Sequence, residues 1–239
     1  MLRLFFVCLI SLPFIIYYML KVVYIEKHDK SYDEARRYKI ARHMIAIMKN
    51  NGGIKTKAFG TENLPEHGGY VMFANHQGKY DTLGIISVHK KPCTILIDEK
   101  RSHLLFANEF ITLLKGCRMD KTNIRSQIKA IYQIIQEVSN GRRYIVFPEG
   151  GYKENHNTLQ DFLPGAFKCA IKSKSPIVPV ALINSYKVFD LTSWSLLPVT
   201  TQVHFLKPLY YDDYKELSSQ EISSIVKEKI NETILQYAS

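Results

Sequence analysis

The chain has 239 residues, enough for one well-buried core of ordinary size. Its 46% hydrophobic and 23% charged residues exclude a disordered protein. A formal charge of +10 favours a polyanionic partner, anionic lipid or a phosphorylated substrate; with no helix-turn-helix, zinc-finger or RNP-like aromatic pattern, we expect no nucleic acid.

The first element is an uncharged run from Leu4 to Leu20, flanked by Arg3 and Lys21. Its length of roughly 26 Å as a helix is near the minimum for a bilayer span. A cleaved signal peptide would need a small-residue cleavage site, which Tyr17-Tyr18-Met19-Leu20 does not offer. A transmembrane helix interrupted at Pro13 and a re-entrant or interfacial anchor both fit. Next, Ser31-x-x-Glu34 reads as a capping box and Asn50-Asn51-Gly52-Gly53 as a stop. Between them Ala41, Met44, Ile45 and Met48 form an apolar stripe beside Arg36, Arg37, Lys39, Arg42 and Lys49. Such a helix lies on an anionic membrane or docks on the core with its charges solvated. Residues 1–53 are thus expected to form an anchor with a basic amphipathic helix, and residues 54–239 the main domain.

Beyond this point strands and helices alternate. Lys55–Phe59 and Tyr70–Ala74 read as strands around the turn-rich Glu62–Gly69, Thr82–Val88 as a short helix, and Cys93–Ile97 as a strand buried on both faces. Ile124, Ile128, Ile131, Ile135 and Val138 recur at helical spacing up to Asn140-Gly141. Tyr144–Phe147 and Ile177–Leu182 are further strands, with a helix over Gly165–Lys172 between them. Val203–Leu206 reads as an edge strand, and a second capping box, Ser218-x-x-Glu221, opens a closing helix. The alternation predicts a single α/β domain with a largely parallel or mixed sheet flanked by helices. Cys8, Cys93, Cys117 and Cys169 show no paired metal spacing, so reduced thiols and a cytoplasmic catalytic side are expected.

Chemistry concentrates in Asn75-His76-Gln77-Gly78-Lys79-Tyr80-Asp81. Residues five apart on one helix lie about 140° from each other, so His76 and Asp81 meet only if His76 stays in the turn and Asp81 opens the helix. Gly78 would permit an unusual backbone there. An acid-oriented imidazole can take a proton from a hydroxyl near pH 7. Two later segments add weight: Val146-Phe147-Pro148-Glu149-Gly150 and Pro176-Ile177-Val178-Pro179-Val180. In this order, with Gly116-Cys117-Arg118-Met119-Asp120-Lys121 and Asp161–Phe167 between them, they make residues 55–210 resemble the glycerolipid acyltransferase family, typified by 1-acyl-sn-glycerol-3-phosphate acyltransferases. That family carries Asn-His-x-x-x-x-Asp, a Gly-containing strand ending in Asp-Arg, Phe-Pro-Glu-Gly-Thr-Arg and Val-Pro-Val.

The resemblance implies transfer of a fatty acyl group from an acyl-CoA or acyl carrier protein thioester to a lysophospholipid, most plainly 1-acylglycerol-3-phosphate, at a cell membrane. His76 would be the base and Asp81 its orienting acid. Glu149 and Gly150 would line the acceptor pocket, Pro179 a wall of the acyl or acceptor site, and backbone N–H groups near Gly78 or Gly150 the oxyanion site. The family's second-motif and third-motif arginines are absent: Lys121 and Tyr152 stand there, and Gly151 replaces threonine. Lys153 would then supply phosphate charge as a point donor, with Lys121, Arg118, Lys100 and Lys168 as further candidates. No cofactor beyond the thioester co-substrate is implied. No metal is expected either, since no second histidine stands at ligand spacing.

Overall fold

The computed structural model describes residues 2–104, 107–153, 155–190 and 196–238. Helix α1, Leu2–Lys27, runs unbroken through Pro13, so the expected interruption is absent. The chain on both sides of the proline is fixed against α2, Glu34–Asn51, which absorbs the one lost backbone bond. The contacts are antiparallel: Glu26 pairs with Arg37 at 2.7 Å, Tyr18 meets the His43 ring at 6.1 Å, and Asn51 donates to the Ser11 hydroxyl at 2.9 Å. Helix α2 is capped by Asp33, which accepts from the Arg36 amide at 2.8 Å; Ser31 instead closes a single 3-10 turn. Arg36 is the reason, because its guanidinium takes the Ser31 carbonyl. The stripe docks on the core, with Ala41 and Ile45 buried. Arg37, expected in solvent, is only 2% exposed and is held by Glu26 and Asp29. Both carboxylates belong to the hairpin, so burying this cation locks its two helices together.

The sheet comprises β1 Ile54–Phe59, β2 Tyr70–Ala74, β3 Thr94–Asp98, β4 Cys117–Met119, β5 Arg143–Val146, β6 Ile177–Ile183 and β7 Val199–Phe205. Between them come α3 Asp81–Val88, α4 Glu99–Ser102, α5 Ala107–Leu113, α6 Ile124–Ser139 and α7 Lys168–Ser173; α8 Tyr211–Tyr214 and α9 Ser219–Tyr237 close the chain. The order is β1-β7-β6-β2-β5-β3-β4, parallel except at the β6–β7 pair. Strand β7 is therefore interior, pairing β1 on one side and β6 on the other; the expected edge position belongs to β1 and β4. The sheet is mixed and the fold α/β.

Every residue of β2 and β6 is buried, as their continuous apolar sequences require of strands covered on both faces. Met72, Ile95, Val178 and Val180 face the α1–α2 hairpin, α3 and α5. Val71, Phe73, Val146 and Ala181 face α6, α7 and α9. The hairpin thus shares one core with the sheet. On α6 the buried line is Ala130, Ile134 and Val138, while Ile124 and Ile128 are exposed; the isoleucine stripe is offset from the face that packs. Ser218 and Glu221 form the expected reciprocal box on α9. The cysteines are free, and burial pushes the thiols of Cys93, Cys117 and Cys169 up to about 12.

Candidate active site

Parallel β2, β5 and β6 all end on one side of the molecule, where α/β sheets place their ligands. Here β2 gives way to residues 75–81. Asn75 prolongs the ladder with its side chain: its amide donates to the Leu182 carbonyl at 3.0 Å and its oxygen accepts from the Leu182 N–H at 2.7 Å. Gln77 donates to the same carbonyl at 2.9 Å and accepts from the Ser185 N–H at 3.0 Å. The two side chains flanking His76 are thus tied to the end of β6. His76 points the other way and retains 18% side-chain exposure.

Asp81 is fully buried and opens α3, and its carboxylate reaches back over the turn. Oδ2 accepts from His76 Nδ1 at 2.6 Å, from the Gln77 N–H at 2.5 Å and from the Gly78 N–H at 2.9 Å; Oδ1 accepts from the Ser185 hydroxyl. This places the proton on Nδ1 and leaves Nε2 with no partner among the described residues. Gly78 does not have a positive φ, contrary to expectation: the carboxylate, not glycine freedom, shapes the turn.

The strand end at β5 supplies the walls. Phe147 stacks on the His76 ring at 4.2 Å, and Tyr152 meets it edge-on at 4.7 Å. Glu149 accepts from the His76 backbone N–H at 3.1 Å and from Gln160 at 2.6 Å, so it positions the histidine's main chain. Burial pushes its carboxyl above the usual range, against the lowering effect of Gln160 and His76. Gly150 adopts φ +70°, a conformation that favours glycine, and its N–H bonds to the Phe147 carbonyl at 3.1 Å. The amides of Gly78 and Gly150 are therefore both engaged. The next N–H, that of Gly151, has no acceptor among the described residues.

His76, Asp81 and Glu149 are brought together, with Gly78 and Gly150 on the rim. The predicted cations divide. Lys121 donates to the Gly150 carbonyl and lies 3.8 Å from Asp98. Arg118 instead bonds Ser102, Asn108 and Thr112 at 3.0–3.2 Å, clipping β4 to α4 and α5. Lys153, Lys100 and Lys168 are exposed. Pro179 is buried in β6 opposite Phe73, one position before the antiparallel pairing begins. By strand alternation it shares a face with Ile177 and Ala181, on the α6–α9 side.

That side matters because the apolar cavity lies on the other. A space of about 360 Å³ opens between α1, α2, α3 and α5, lined by Phe14, Met44, Leu83, Ile97 and Phe110 among others. Its lining includes Lys79 and Thr82, which bracket Asp81. Pro179 is thus not one of its walls, and sequence parity along β6 was the available signal. Sequence reasoning also missed Gln160 and Ser185, whose partners are 11 and 104 residues away. Among the described residues no group of three or more His, Cys, Asp or Glu side chains is arranged to hold a metal ion.

The acyltransferase family model matches residues 55–183, a segment that includes the whole turn and both of its walls. A 1-acyl-sn-glycerol-3-phosphate acyltransferase of Borreliella burgdorferi is 28% identical over 192 residues, covering 79% of this chain and 75% of that one. One from Saccharomyces cerevisiae is 26% identical over 196 residues, covering 81% of this chain and 64% of the yeast protein. The crystal structure of the 1-acyl-sn-glycerophosphate (LPA) acyltransferase PlsC from Thermotoga maritima has a TM-score of 0.80 to this fold. It covers 98% of this chain and 94% of its own at 20% identity, which is a likeness of fold.

Proposed function

The chain belongs to the acyltransferase family, and on that footing we propose that it acylates 1-acyl-sn-glycerol-3-phosphate at a membrane surface, giving phosphatidic acid. The observation that carries the reading is the His76 Nδ1–Asp81 bond of 2.6 Å, which leaves Nε2 open at a site bordered by an apolar cavity. Nε2 takes the proton of the acceptor hydroxyl as its oxygen attacks the carbonyl carbon of an acyl-CoA or acyl carrier protein thioester. Asp81 holds the tautomer and steadies the imidazolium. Collapse of the tetrahedral intermediate breaks the C–S bond, and the thiolate recovers the proton from His76. The Gly151 N–H, which has no acceptor among the described residues, is suited to the oxyanion. No acyl-enzyme is needed, so no nucleophilic serine is required.

The cavity of about 360 Å³ suits an acyl chain, and one of its walls is the apolar helix α1. The most apolar 18-residue window of Phe5–Lys27 has a mean hydropathy of 2.1 and is only 22% buried, and Phe5, Leu9, Ile10, Ile16 and Leu20 are exposed. Helix α1 therefore sits in the bilayer with the cavity beside it, and an acyl chain passes from lipid to site without crossing water. We place the catalytic face on the cytoplasmic side, a reading that the four free cysteines support.

The test gives purified protein in lipid vesicles a labelled acyl thioester, as CoA and as carrier-protein conjugate, with a panel of lyso-acceptors. Labelled phosphatidic acid is the expected product. Preferential labelling of another lyso-lipid would change the acceptor, and no transfer to any acceptor would overturn the reading.

A further inference from the structure

The third motif of this chain lacks the arginine that its family places after Gly-Thr, and Tyr152 occupies that position. The structure shows what the tyrosine touches. One side of it meets the His76 ring edge-on at 4.7 Å, and its ring carries the Arg101 guanidinium at 5.0 Å from the centroid. Arg101 comes from α4, a separate segment directly after β3, where Asp98 caps its backbone N–H at 3.1 Å.

Several other arginines of the protein differ from it in one respect. Arg37, Arg118 and Arg142 spend their guanidinium donors on carboxylates, hydroxyls and carbonyls. The Arg101 side chain is exposed and, among the described residues, its only partner is the Tyr152 ring. Stacking on an aromatic face uses none of the five N–H donors, so the group is oriented and yet unspent. Lys121, the cation at the Gly150 carbonyl, is already engaged there and lies near Asp98.

We propose that Arg101 binds the phosphate of the acceptor and that Tyr152 holds it in place, substituting as a pair for the missing arginine. This rests on the reading that the acceptor is a phosphate-bearing lyso-lipid. The spacing fits. Laid end to end, the two ring distances put the guanidinium within about 10 Å of the imidazole. A hydroxyl about 3 Å from Nε2 and a phosphate oxygen about 3 Å from the guanidinium leave room for the short glycerol segment between them. A planar fork grips phosphate with two parallel bonds, which a lysine such as Lys153 cannot reproduce. The assignment also explains why a bulky ring is tolerated against the histidine: it is a mount for the charge.

The experiment compares 1-acylglycerol-3-phosphate with 1-acylglycerol, which has the hydroxyls and no phosphate, using the full chain in vesicles. Arg101→Ala should raise KM for the phosphate acceptor and reduce the ratio of kcat/KM between the two acceptors by tenfold or more. Arg101→Lys should restore part of the ratio. Tyr152→Phe should keep the acceptor ratio because the ring remains, whatever its effect on turnover, while Tyr152→Leu should lower the ratio with Arg101 intact. An unchanged ratio in Arg101→Ala overturns the assignment and leaves the acyltransferase reading standing. A wild type that acylates neither acceptor overturns both. Loss of activity by unfolding is recognised by the thermal midpoint of each variant, and a ratio that falls in Tyr152→Phe as far as in Tyr152→Leu also overturns the mount.

Discussion

The turn 75–81 and the rim formed by Arg101 and residues 150–153 lie beside the same imidazole and are built in opposite ways. In the turn, Asn75, Gln77 and Asp81 are buried, and their side chains bond backbone groups of the turn and of Leu182 and Ser185. On the rim, the side-chain contacts of Tyr152 are with a ring and an exposed guanidinium, and Lys153 is exposed. A half-satisfied buried polar network is costly, so any change in the turn is felt at once. Exposed ring contacts are each worth under about 1 kcal/mol and are easily exchanged. The sequence follows its family's pattern in the turn and departs from it on the rim, which is what that difference in stiffness predicts. Proton transfer demands fixed geometry; recognition of the acceptor tolerates several solutions.

The largest test of the comparison removes the base. His76→Ala should lower kcat by about 10⁴-fold while the protein stays bound to vesicles, since among the described residues the ring meets Phe147, Tyr152 and Asp81 and not the α1–α2 hairpin. Wild-type turnover by the alanine variant would remove the imidazole from the mechanism. Asp81→Asn comes next, with a loss on the order of 100-fold. An amide oxygen can still accept from the Gln77 and Gly78 N–H groups, and the amide nitrogen can donate to Ser185, so the fold survives. The imidazolium then loses its counter-charge. A loss of only a few-fold would mean that Asp81 serves the turn and not the chemistry.

Much of this was legible in the residues. The dyad was readable because its two members are five positions apart, and the strand-then-helix pattern around them limits how they can meet. The mixed α/β sheet followed from strand and helix alternation. What lay beyond the sequence depended on contacts between distant segments. Whether Val203–Phe205 lies at an edge is decided by β1, nearly 150 residues earlier, and nothing local to either strand announces that pairing. Arg118 read as a phosphate ligand because its motif neighbours suggested it, yet Ser102, Asn108 and Thr112 claim it. Arg37 looked like a solvated charge because two acids that neutralise it precede the helix. Arg101 belonged to no motif, and only the fold lays it over Tyr152.

The cavity separates the two regions by effect size. Leu83 lies two residues beyond Asp81 on α3 and faces the cavity, so Leu83→Trp fills space there and leaves the bonds of the turn in place. Each methylene denied burial forfeits about 0.8 kcal/mol, so excluding two costs long-chain thioesters roughly tenfold. Short-chain thioesters should be turned over as before, measured as kcat/KM across a chain-length series. A uniform decrease at all lengths would show that the indole had disturbed the dyad, and the cavity would lose its assignment to the acyl chain.

Glu149 offers the smallest and sharpest test, because it belongs to both regions: it bonds the His76 backbone on one side and Gln160, which in turn holds Gly151, on the other. Burial raises its carboxyl above the unfolded value, so the native state binds a proton more readily than the unfolded chain. Native stability from this group is then fully present below the unfolded pKa and is lost as pH rises through the folded one. At neutral pH the buried charge costs stability. Glu149→Gln removes that cost while keeping an oxygen for the His76 N–H. The thermal midpoint of the variant relative to wild type should therefore rise between pH 4 and pH 7. The new amide also sets an NH₂ against that of Gln160, so Gly151 loses its anchor and kcat should fall several-fold. A difference in midpoint that is flat with pH would show that the carboxylate is not destabilised where it sits, and unchanged turnover would detach the Gln160–Gly151 strap from the reacting centre.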